Sequence, residues 1–404
     1  MGHPVPCSRF SMRVCGFPRR SHMLAFMGEY EGELTRLVDE LNRSATRARS
    51  EEKTGLDQFL ATAVQRGASD LLLVAGSAAV LRVNGALTTG VGRVLSDSDL
   101  RGLLLPILTG EQQKELQTRR SIDFSFVRKS IGRFRANFHY QRGTLAAAIR
   151  VLPEQIPTLE SLHLPPGLAH LAERRQGLVL LTGPTGCGKS STLAALIELV
   201  NTRRRDHIIT IEDPIEFEHT NRTSVVEQIE LGPDTPSFAE AVRAAMRQIP
   251  NVILVGEMRD ADTMAAALTA AETGHLVFSS LHTNDAAQTV LRILDIFPTG
   301  FQSQIRQQLS MALLAVISQR LVPAANGIGR HPAVEIMLAT SGIRNLIRQG
   351  HDHQIRAHIE TSRNDGMMTM EQSLAELVRT ERISREIAFE HSHHPEDVRR
   401  YLGG

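Results

Sequence analysis

Cysteine is scarce in this sequence: the 404 residues include three, Cys7, Cys15 and Cys187, and no two of them form a C-x-x-C pair. This spacing excludes a four-cysteine zinc module and a disulfide-stabilised scaffold. The sequence also lacks an apolar run long enough to cross a membrane and the apolar core of a signal peptide. We therefore expect a cytoplasmic protein.

The sequence also has no large excess of charge of either sign: it contains 45 basic and 44 acidic residues, and its net charge is +1. A nearly neutral chain has no long-range attraction to nucleic acid or to an anionic membrane. The sequence shows no basic and aromatic pattern of the kind that lines a nucleic-acid channel. We expect no nucleic-acid partner, and membrane association only through other proteins.

The most informative stretch runs from Gly177 to Ser191 and reads GLVLLTGPTGCGKSS. Leu178–Thr182 has the continuous apolar character of a buried parallel strand. Thr192–Val200, which follows the stretch, is rich in helix-forming residues. The sequence therefore predicts a glycine-rich turn between a strand and a helix.

This turn matches the phosphate-binding pattern G-x-x-x-x-G-K-[ST]. Backbone N–H groups of such a loop, and the start of the following helix, surround nucleotide phosphates. We expect ATP and Mg²⁺ here, with Lys189 at the β- and γ-phosphates and the Ser190 hydroxyl on the metal. The predicted nucleotide-binding residues are Gly183, Pro184, Thr185, Gly186, Cys187, Gly188, Lys189, Ser190 and Ser191.

The part of the chain before this stretch divides into three segments by composition. Residues 1–53 predict a disordered extension with one amphipathic helix over Leu24–Leu41. Residues 54–153 contain short alternating segments and a helical segment over Asp97–Leu108, which predict an α+β domain with an antiparallel sheet. Residues 154–176 carry several prolines and predict a linker with a short helix.

From residue 177 to 340 strands and helices alternate, which is typical of an α/β fold with a parallel sheet. Residues 341–404 predict a helical C-terminal region. The strands predicted in the α/β part are 178–182, 207–211, 225–229, 252–255, 276–280 and 333–337, and the helices are 189–200, 237–247, 262–273, 285–296 and 301–321.

Polar residues follow these strands at the edge where a parallel sheet binds its ligand. Glu212 and Asp213 are candidates for Mg²⁺, with a solvated acidic turn as the alternative. Glu257 follows the strand 252–255 and is expected to orient or deprotonate the attacking water. His275 and His282 flank the strand 276–280 and are either γ-phosphate contacts or structural residues.

Together these segments resemble the ATPases of type II secretion and type IV pilus systems, over about residue 55 to the C-terminus. The similarity rests on Gly183–Ser191 as Walker A, Thr210–Phe217 as the Asp box, Leu254–Asp260 as an atypical Walker B, and Ala271–Thr283 as the His box. The resemblance implies a PAS-like N-terminal domain, a RecA-like core and a homo-hexamer that hydrolyses ATP at subunit interfaces.

The resemblance also implies roles for individual side chains. Glu216 is similar to the Asp-box glutamate, Glu257 to the catalytic glutamate and His282 to the His-box residue. Arg135 and Arg150 resemble arginines that reach into the ATP site of an adjacent copy, although the residue pattern alone favours a solvated sheet face. A pair of guanidinium groups suits the charge that develops on a transferred phosphate.

The segment Gly342–Gln349 is similar to the AIRNLIRE motif of pilus-retraction ATPases and departs from it at its first and last positions. This similarity implies pilus retraction at the inner-membrane base of the machine, with a platform protein and a paralogous retraction ATPase as partners. The alternatives are a pilus-extension ATPase, a type II secretion ATPase and an accessory nucleotide-binding subunit.

Overall fold

The computed structural model describes residues 55–83, 85–88 and 90–403. The predicted disorder and the helix over Leu24–Leu41 lie outside these residues. The contacts given below belong to the unit that runs from Phe59 to Gly404. Within the described ranges, no helix combines the length and the apolar character that crossing a membrane requires.

The first described part of the chain contains a six-stranded antiparallel sheet, as predicted. Its strands are β1 (Asp70–Val74), β2 (Val80–Val83), β3 (Ala86–Leu87), β4 (Ser121–Arg128), β5 (Gly132–Gln141) and β6 (Thr144–Leu152). They lie in the order β3-β2-β1-β6-β5-β4. Every second residue of β5 points into the core, where Phe134 and Phe138 are fully buried.

Three helices accompany this sheet: α1 (Gly55–Gln65), α2 (Asp97–Leu104) and α3 (Gly110–Arg119). Helix α2 packs against β6, and α3 packs against β4. The sequence prediction missed α3, although Thr109 and Gln112 form a capping box at its start. The helix predicted over Asp97–Leu108 ends at Leu104, where a short 3₁₀ turn containing a proline follows.

The predicted linker contains a 3₁₀ turn, Pro166–Leu168, and the short helix α4 (Ala169–Ala172). Its leucines are buried against the following sheet: Leu164, Leu168 and Leu171 belong to the same apolar cluster as Val179. Burial of this apolar surface fixes the linker on the core. The predicted linker with its short helix is therefore packed against the core.

The core is a seven-stranded sheet with helices on both faces, the RecA-like α/β architecture. Its strands are β7 (Gly177–Thr182), β8 (His207–Glu212), β9 (Val225–Glu230), β10 (Val252–Val255), β11 (Leu276–Leu281), β12 (Leu313–Pro323) and β13 (Arg330–Leu338). Its helices are α5 (Lys189–Arg203), α6 (Phe238–Ala245), α7 (Ala261–Glu272), α8 (Ala286–Asp295) and α9 (Thr299–Ala312). The strand order is β13-β12-β7-β11-β10-β8-β9.

Two details of the core differ from prediction. The sheet is not wholly parallel, because β13 pairs antiparallel with β12. The helix predicted over 301–321 is wrong beyond Ala312, where the chain becomes β12. Leu, Ala and Gln in this segment favour a helix locally, but pairing with β7 on one side and with β13 on the other selects the strand.

Adjacent parallel strands place their carboxyl ends side by side. In register, Thr182 of β7 lies beside Leu281 of β11, and Val255 of β10 lies beside Ile211 of β8. Helices α6 to α9 cover one face of the sheet, and α5 with the linker covers the other. The loops that follow β7, β8, β10 and β11 therefore meet at one edge.

The C-terminal region is helical: α10 (Ser341–Gln349), α11 (Ile355–Thr361), α12 (Met370–Arg379), α13 (Arg385–Glu390) and α14 (Pro395–Tyr401). Helices α12 to α14 pack through Met370, Leu374 and Val398 against Val322 and Ala333 of the β12–β13 pair. The C-terminal helices thus attach to the strands at the end of the core sheet.

Candidate active site

The phosphate-binding loop joins β7 to α5, and two of its glycines are required by space and by backbone conformation. Gly183 has φ +137° and Gly188 has φ +94°, a region that side chains rarely adopt. A Cβ at Gly183 would overlap the carbonyl oxygen of Gln319, and one at Gly188 would lie 2.8 Å from Gln319 Nε2. Helix α5 begins at Lys189, so its positive end faces this loop.

Gln319 supports the loop from the neighbouring strand β12, where it is 3% exposed. Its Nε2 donates to the carbonyl oxygen of Cys187 at 2.7 Å, and its Oε1 accepts from Thr192 Oγ1 at 2.9 Å. One residue earlier, Ser318 Oγ accepts from Thr182 Oγ1 at 2.8 Å. No sequence motif indicates this role of Gln319, because it depends on β12 lying beside β7.

Lys189 is buried, and its ammonium group lies inside the loop. Its Nζ donates to the carbonyl oxygens of Gly183 at 2.8 Å and Pro184 at 3.1 Å. Burial lowers the pKa of Lys189, while the Cys187 thiol and two nearby glutamates act in the opposite direction. A phosphate arriving here would replace neutral carbonyl partners with charged ones, which form stronger hydrogen bonds.

The carboxylates predicted after β8 lie in the same cleft: Glu212, Asp213 and Glu216 all line it. Burial raises the pKa of Glu212 to about 7, and its Oε1 accepts from Thr210 Oγ1 at 2.8 Å. Gly256 at the end of β10 leaves room for this arrangement, since a Cβ there would lie 3.3 Å from a carbonyl oxygen of β8. Asp213 is the exposed acid of the group, whereas Glu212 and Glu216 are partly buried.

Glu257 lies at the centre of a three-residue cluster beyond β10. Its Oε2 lies 3.1 Å from His282 Nε2, and its Oε1 forms an ion pair with Arg259. The structure places His275 at the opposite end of β11, with its Nδ1 2.9 Å from the carbonyl oxygen of Ala270. The hypothesis of a γ-phosphate contact is therefore wrong for His275, because the strand separates it from the cleft.

Arg135 on β5 and Arg150 on β6 are direct partners across the N-terminal sheet. Both line the cleft that contains Lys189 and Glu257 of the same chain, and Arg150 Nε also lies 3.0 Å from Asp70 Oδ1. The resemblance led us to expect these arginines in the site of an adjacent copy. Within one chain, both arginines lie at the cleft beside the carboxyl edge of their own core sheet.

A second arginine of β5 connects the two sheets directly. The side chain of Arg133 is 13% exposed, and its Nε pairs with Glu218 Oε1 at 2.9 Å. Its guanidinium group also donates to the carbonyl oxygens of Ile215 at 3.1 Å and Glu216 at 3.3 Å. The N-terminal sheet therefore holds the loop that carries Glu216.

The cleft has a volume of about 460 Å³. The predicted site residues that line it are Thr185, Gly186, Gly188, Lys189, Ser190, Ser191, Glu212, Asp213, Glu216, Glu257, Arg135 and Arg150. Gly183, Pro184 and Cys187 complete the loop around it, and His282 joins it through Glu257. Arg259, Phe238, Leu321 and Arg330 also line the cleft, although no role was predicted for them. Of these four, Arg259 alone lies within a recognised motif, the Walker B segment, two residues after Glu257.

The donors in the cleft suit a nucleotide with Mg²⁺. The Ser190 hydroxyl and the Glu212 and Asp213 carboxylates, with Glu216 beside them, are hard oxygen donors, which Mg²⁺ prefers. Lys189, Arg135 and the start of α5 supply the positive charge that phosphates require. The arrangement can bind a nucleoside triphosphate and bring a carboxylate close to its terminal phosphate.

Comparison with known proteins identifies the relatives of this chain. Residues 147–399 match the family of type II/IV secretion system proteins. The chain is 42% identical over 342 residues to the type IV pilus retraction ATPase PilT of Pseudomonas aeruginosa, covering 85% of this chain and 99% of that protein. It is 45% identical over 310 residues to a twitching motility protein of Neisseria gonorrhoeae, covering 76% and 83%.

The fold is also similar to solved structures. A crystal structure of the pilus retraction motor PilT with bound ADP superposes with a TM-score of 0.80 at 43% identity, covering 86% of this chain and all of that one. The Legionella pneumophila ATPase DotB gives a TM-score of 0.72 at 28% identity, covering 82% of this chain and 94% of that one. Both similarities extend over the N-terminal sheet as well as the core.

Proposed function

Because the chain belongs to the family of type II/IV secretion system proteins, we propose that it is the ATPase motor that powers retraction of a type IV pilus. One observation carries this proposal: the phosphate-binding loop, the acids after β8 and β10, and two arginines of the N-terminal sheet line a single cleft. A nucleotide bound there contacts both sheets. Its hydrolysis therefore changes the forces between them.

The cleft supplies each group that hydrolysis requires. Glu257 accepts the proton of the water that attacks the γ-phosphate, and His282 positions Glu257 through their 3.1 Å contact. Lys189, Arg135 and Arg150 compensate the negative charge that develops on the phosphate oxygens. Mg²⁺, when bound, neutralises the phosphate charge further; Ser190, Glu212 and Asp213 are the residues that would hold it, with Glu216 beside them.

The domain arrangement couples this chemistry to movement. We assign residues 54–153 to the moving N-terminal domain, 154–176 to the linker, 177–340 to the ATPase core and 341–404 to the C-terminal helical region. Loss of the γ-phosphate removes the ligand shared by the arginines and the loop, which frees the N-terminal domain to rotate. A homo-hexamer at the cytoplasmic face of the pilus base, with a membrane platform protein and a paralogous ATPase as partners, would transmit this rotation.

Retraction is supported by the geometry of α10, which carries the segment similar to the retraction motif. Ile343 and Ile347 are buried against the core. The Arg344 guanidinium donates to the carbonyl oxygens of Ala339 and Ser310, both at 2.7–2.8 Å. This arginine thereby fixes α10 to the end of α9, so a change in the core would move the motif as one unit.

The enzymatic part of the proposal is tested with two variants of the purified chain. We expect Lys189→Ala and Glu257→Gln to lower phosphate release by about 100-fold or more while the melting temperature stays close to that of the wild type. Lys114→Ala and Glu376→Gln, at exposed positions on α3 and α12, serve as matched controls with normal activity. Full turnover by either active-site variant would exclude this cleft as the site of hydrolysis.

The cellular role is tested by deleting the gene and counting surface pili. Excess pili without twitching indicate retraction, whereas missing pili indicate an extension ATPase. Normal pili with failed protein export indicate a secretion ATPase. A purified chain that binds ATP but releases no phosphate indicates an accessory subunit.

A further inference from the structure

A second concave site lies at the opposite end of the core sheet from the ATP cleft. Two loops form it: residues 173–176, which precede β7, and residues 203–206, which precede β8. It has a volume of about 680 Å³, and Asn251 and Gly274 complete its lining. The length of β7 separates it from the phosphate-binding loop by roughly 17 Å.

Arginine dominates this concavity. Arg175, Arg203, Arg204 and Arg205 line it together with two acids, so the positive groups outnumber the negative ones. Arg203 lies 3.7 Å from Glu173, and Arg204 lies 2.5 Å from Asp206. In the part of the chain that the structure describes, Arg175 and Arg205 form no ion pair, and both are exposed.

The backbone around the concavity is fixed before any partner binds. The Arg204 guanidinium donates to the carbonyl oxygens of Ala172 at 2.8 Å and Arg174 at 2.5 Å, which ties the two loops together. Among the described residues, Asp206 forms an ion pair with Arg204 and with no other arginine. The guanidinium groups of Arg175 and Arg205 are therefore attached to backbone that is already held in place. A partner would not have to order this backbone on binding, and such preorganisation favours affinity.

An exposed apolar residue lies close in the chain to Asn251, which lines the concavity. Ile249 is 87% exposed and has φ +59°, although it is β-branched and precedes a proline. This conformation is costly for such a residue. The carbonyl oxygen of Ile249 lies 3.3 Å from His207 Nδ1. Because His207 follows Asp206 and Ile249 lies two residues before Asn251, this contact places Ile249 near the concavity.

We propose that this arginine concavity, with Ile249 near it, is a docking site for an acidic segment of a partner protein that carries an apolar side chain beside its carboxylates. Guanidinium groups bind carboxylates through paired hydrogen bonds. The exposed Ile249 nearby favours a peptide over a small inorganic anion, and the concave shape favours a peptide over a flat membrane surface. The site is separate from the ATP cleft and does not depend on hydrolysis.

The test uses the full-length protein and a fluorescein-labelled peptide in which glutamates flank a single leucine. Fluorescence anisotropy at low ionic strength is expected to show binding that Arg175→Glu with Arg205→Glu weakens by about tenfold or more. The matched control is Arg363→Glu, which reverses an exposed charge in the C-terminal region and is expected to leave affinity within about twofold. A peptide with glutamines in place of glutamates should not bind.

Ile249→Asn gives an independent signature, because asparagine tolerates positive φ but removes the apolar surface. We expect this variant to melt at a higher temperature and yet to bind the peptide more weakly. Equal peptide binding by the wild type and the double arginine variant would overturn the proposal. Preferential binding to vesicles that contain an anionic lipid, or loss of the oligomer in the arginine variant, would overturn it in favour of a membrane surface or an interface between copies.

Discussion

Gln319 shows how much of the nucleotide site depends on a residue outside every motif. It makes two hydrogen bonds to the loop and helix start, at 2.7 Å and 2.9 Å, from a nearly inaccessible position. Gln319→Ala leaves the Cys187 carbonyl and the Thr192 hydroxyl without this buried partner, a change of about 1–3 kcal/mol. We expect the affinity for a fluorescent ADP analogue to fall by about tenfold.

The control for this prediction is Gln307→Ala on α9, where the side chain is exposed and contacts only Met311 Sδ among side chains of the described residues. Titrating both variants with the fluorescent ADP analogue under the same conditions distinguishes two effects. One is the loss of the hydrogen bonds from Gln319 to the loop, and the other is a general effect of removing a side-chain amide. An unchanged affinity in Gln319→Ala would mean that the loop keeps its shape without β12.

Glu335 on β13 predicts a specific dependence of stability on pH. Burial raises the pKa of Glu335 to about 7, although its Oε1 accepts from the backbone N–H of Ala286 at 2.8 Å. The folded state thus holds the proton more tightly than the unfolded state, and stability is lost as pH rises from about 4.5 to about 7. Below that window the carboxyl group is neutral in both states and has no such cost.

Glu335→Gln replaces the carboxyl group with a neutral amide. We expect the variant to gain up to about 3 kcal/mol of unfolding free energy over the wild type near pH 8, and little or nothing near pH 4.5. Urea denaturation at several pH values measures the difference, with the exposed Glu376→Gln as the control. A gain that is independent of pH would show that folding does not change the pKa of Glu335.

At the scale of elements, α10 explains why this chain departs from the retraction motif. The motif begins with alanine, and this chain has Gly342 there. A Cβ at Gly342 would lie 2.5 Å from Cε1 of His358 on α11. The imidazole of His358 therefore occupies the space that an alanine methyl group would need.

This contact predicts strong coupling between the two positions. Alanine in place of glycine ordinarily stabilises a helix by up to about 1 kcal/mol. We expect Gly342→Ala to give no such gain in the wild type but to give it in a His358→Ala background. Urea denaturation of the two single variants and the double variant completes the cycle, and identical effects in both backgrounds would contradict the contact.

Strands that are marked by a clear local residue pattern could be predicted from the sequence, whereas β12 could not. Strands β7, β10 and β11 are short apolar runs with turn residues at their ends, and their predicted bounds match the structure to within one residue. The segment around Leu313 has good helix formers, and only its pairing with β7 and β13 makes it a strand. Gln319 and Arg133 were missed for the same reason, since their contacts cross between segments distant in sequence.

At the scale of the whole molecule, the N-terminal sheet and the core are connected through the site itself. Arg133 donates to two carbonyl oxygens in the loop of Glu216, while Arg135 and Arg150 line the cleft. The sequence motifs predicted the N-terminal sheet and the core separately. They did not predict which side of the core the N-terminal sheet contacts. Because these contacts lie within one chain, the structure predicts that the arginines serve the nucleotide of their own subunit.

Mixing inactive variants tests this assignment. Lys189→Ala removes the phosphate contact, and Arg135→Ala with Arg150→Ala removes the guanidinium groups. If the arginines act on their own chain, every mixed oligomer contains only incomplete sites, and we expect no phosphate release above that of the separate variants. If they act on a neighbour, some interfaces combine an intact loop with intact arginines, and mixing restores measurable turnover. Recovery of activity would therefore show that the arginines complete the site of a neighbouring subunit, because a loop and its arginines would then come from different chains.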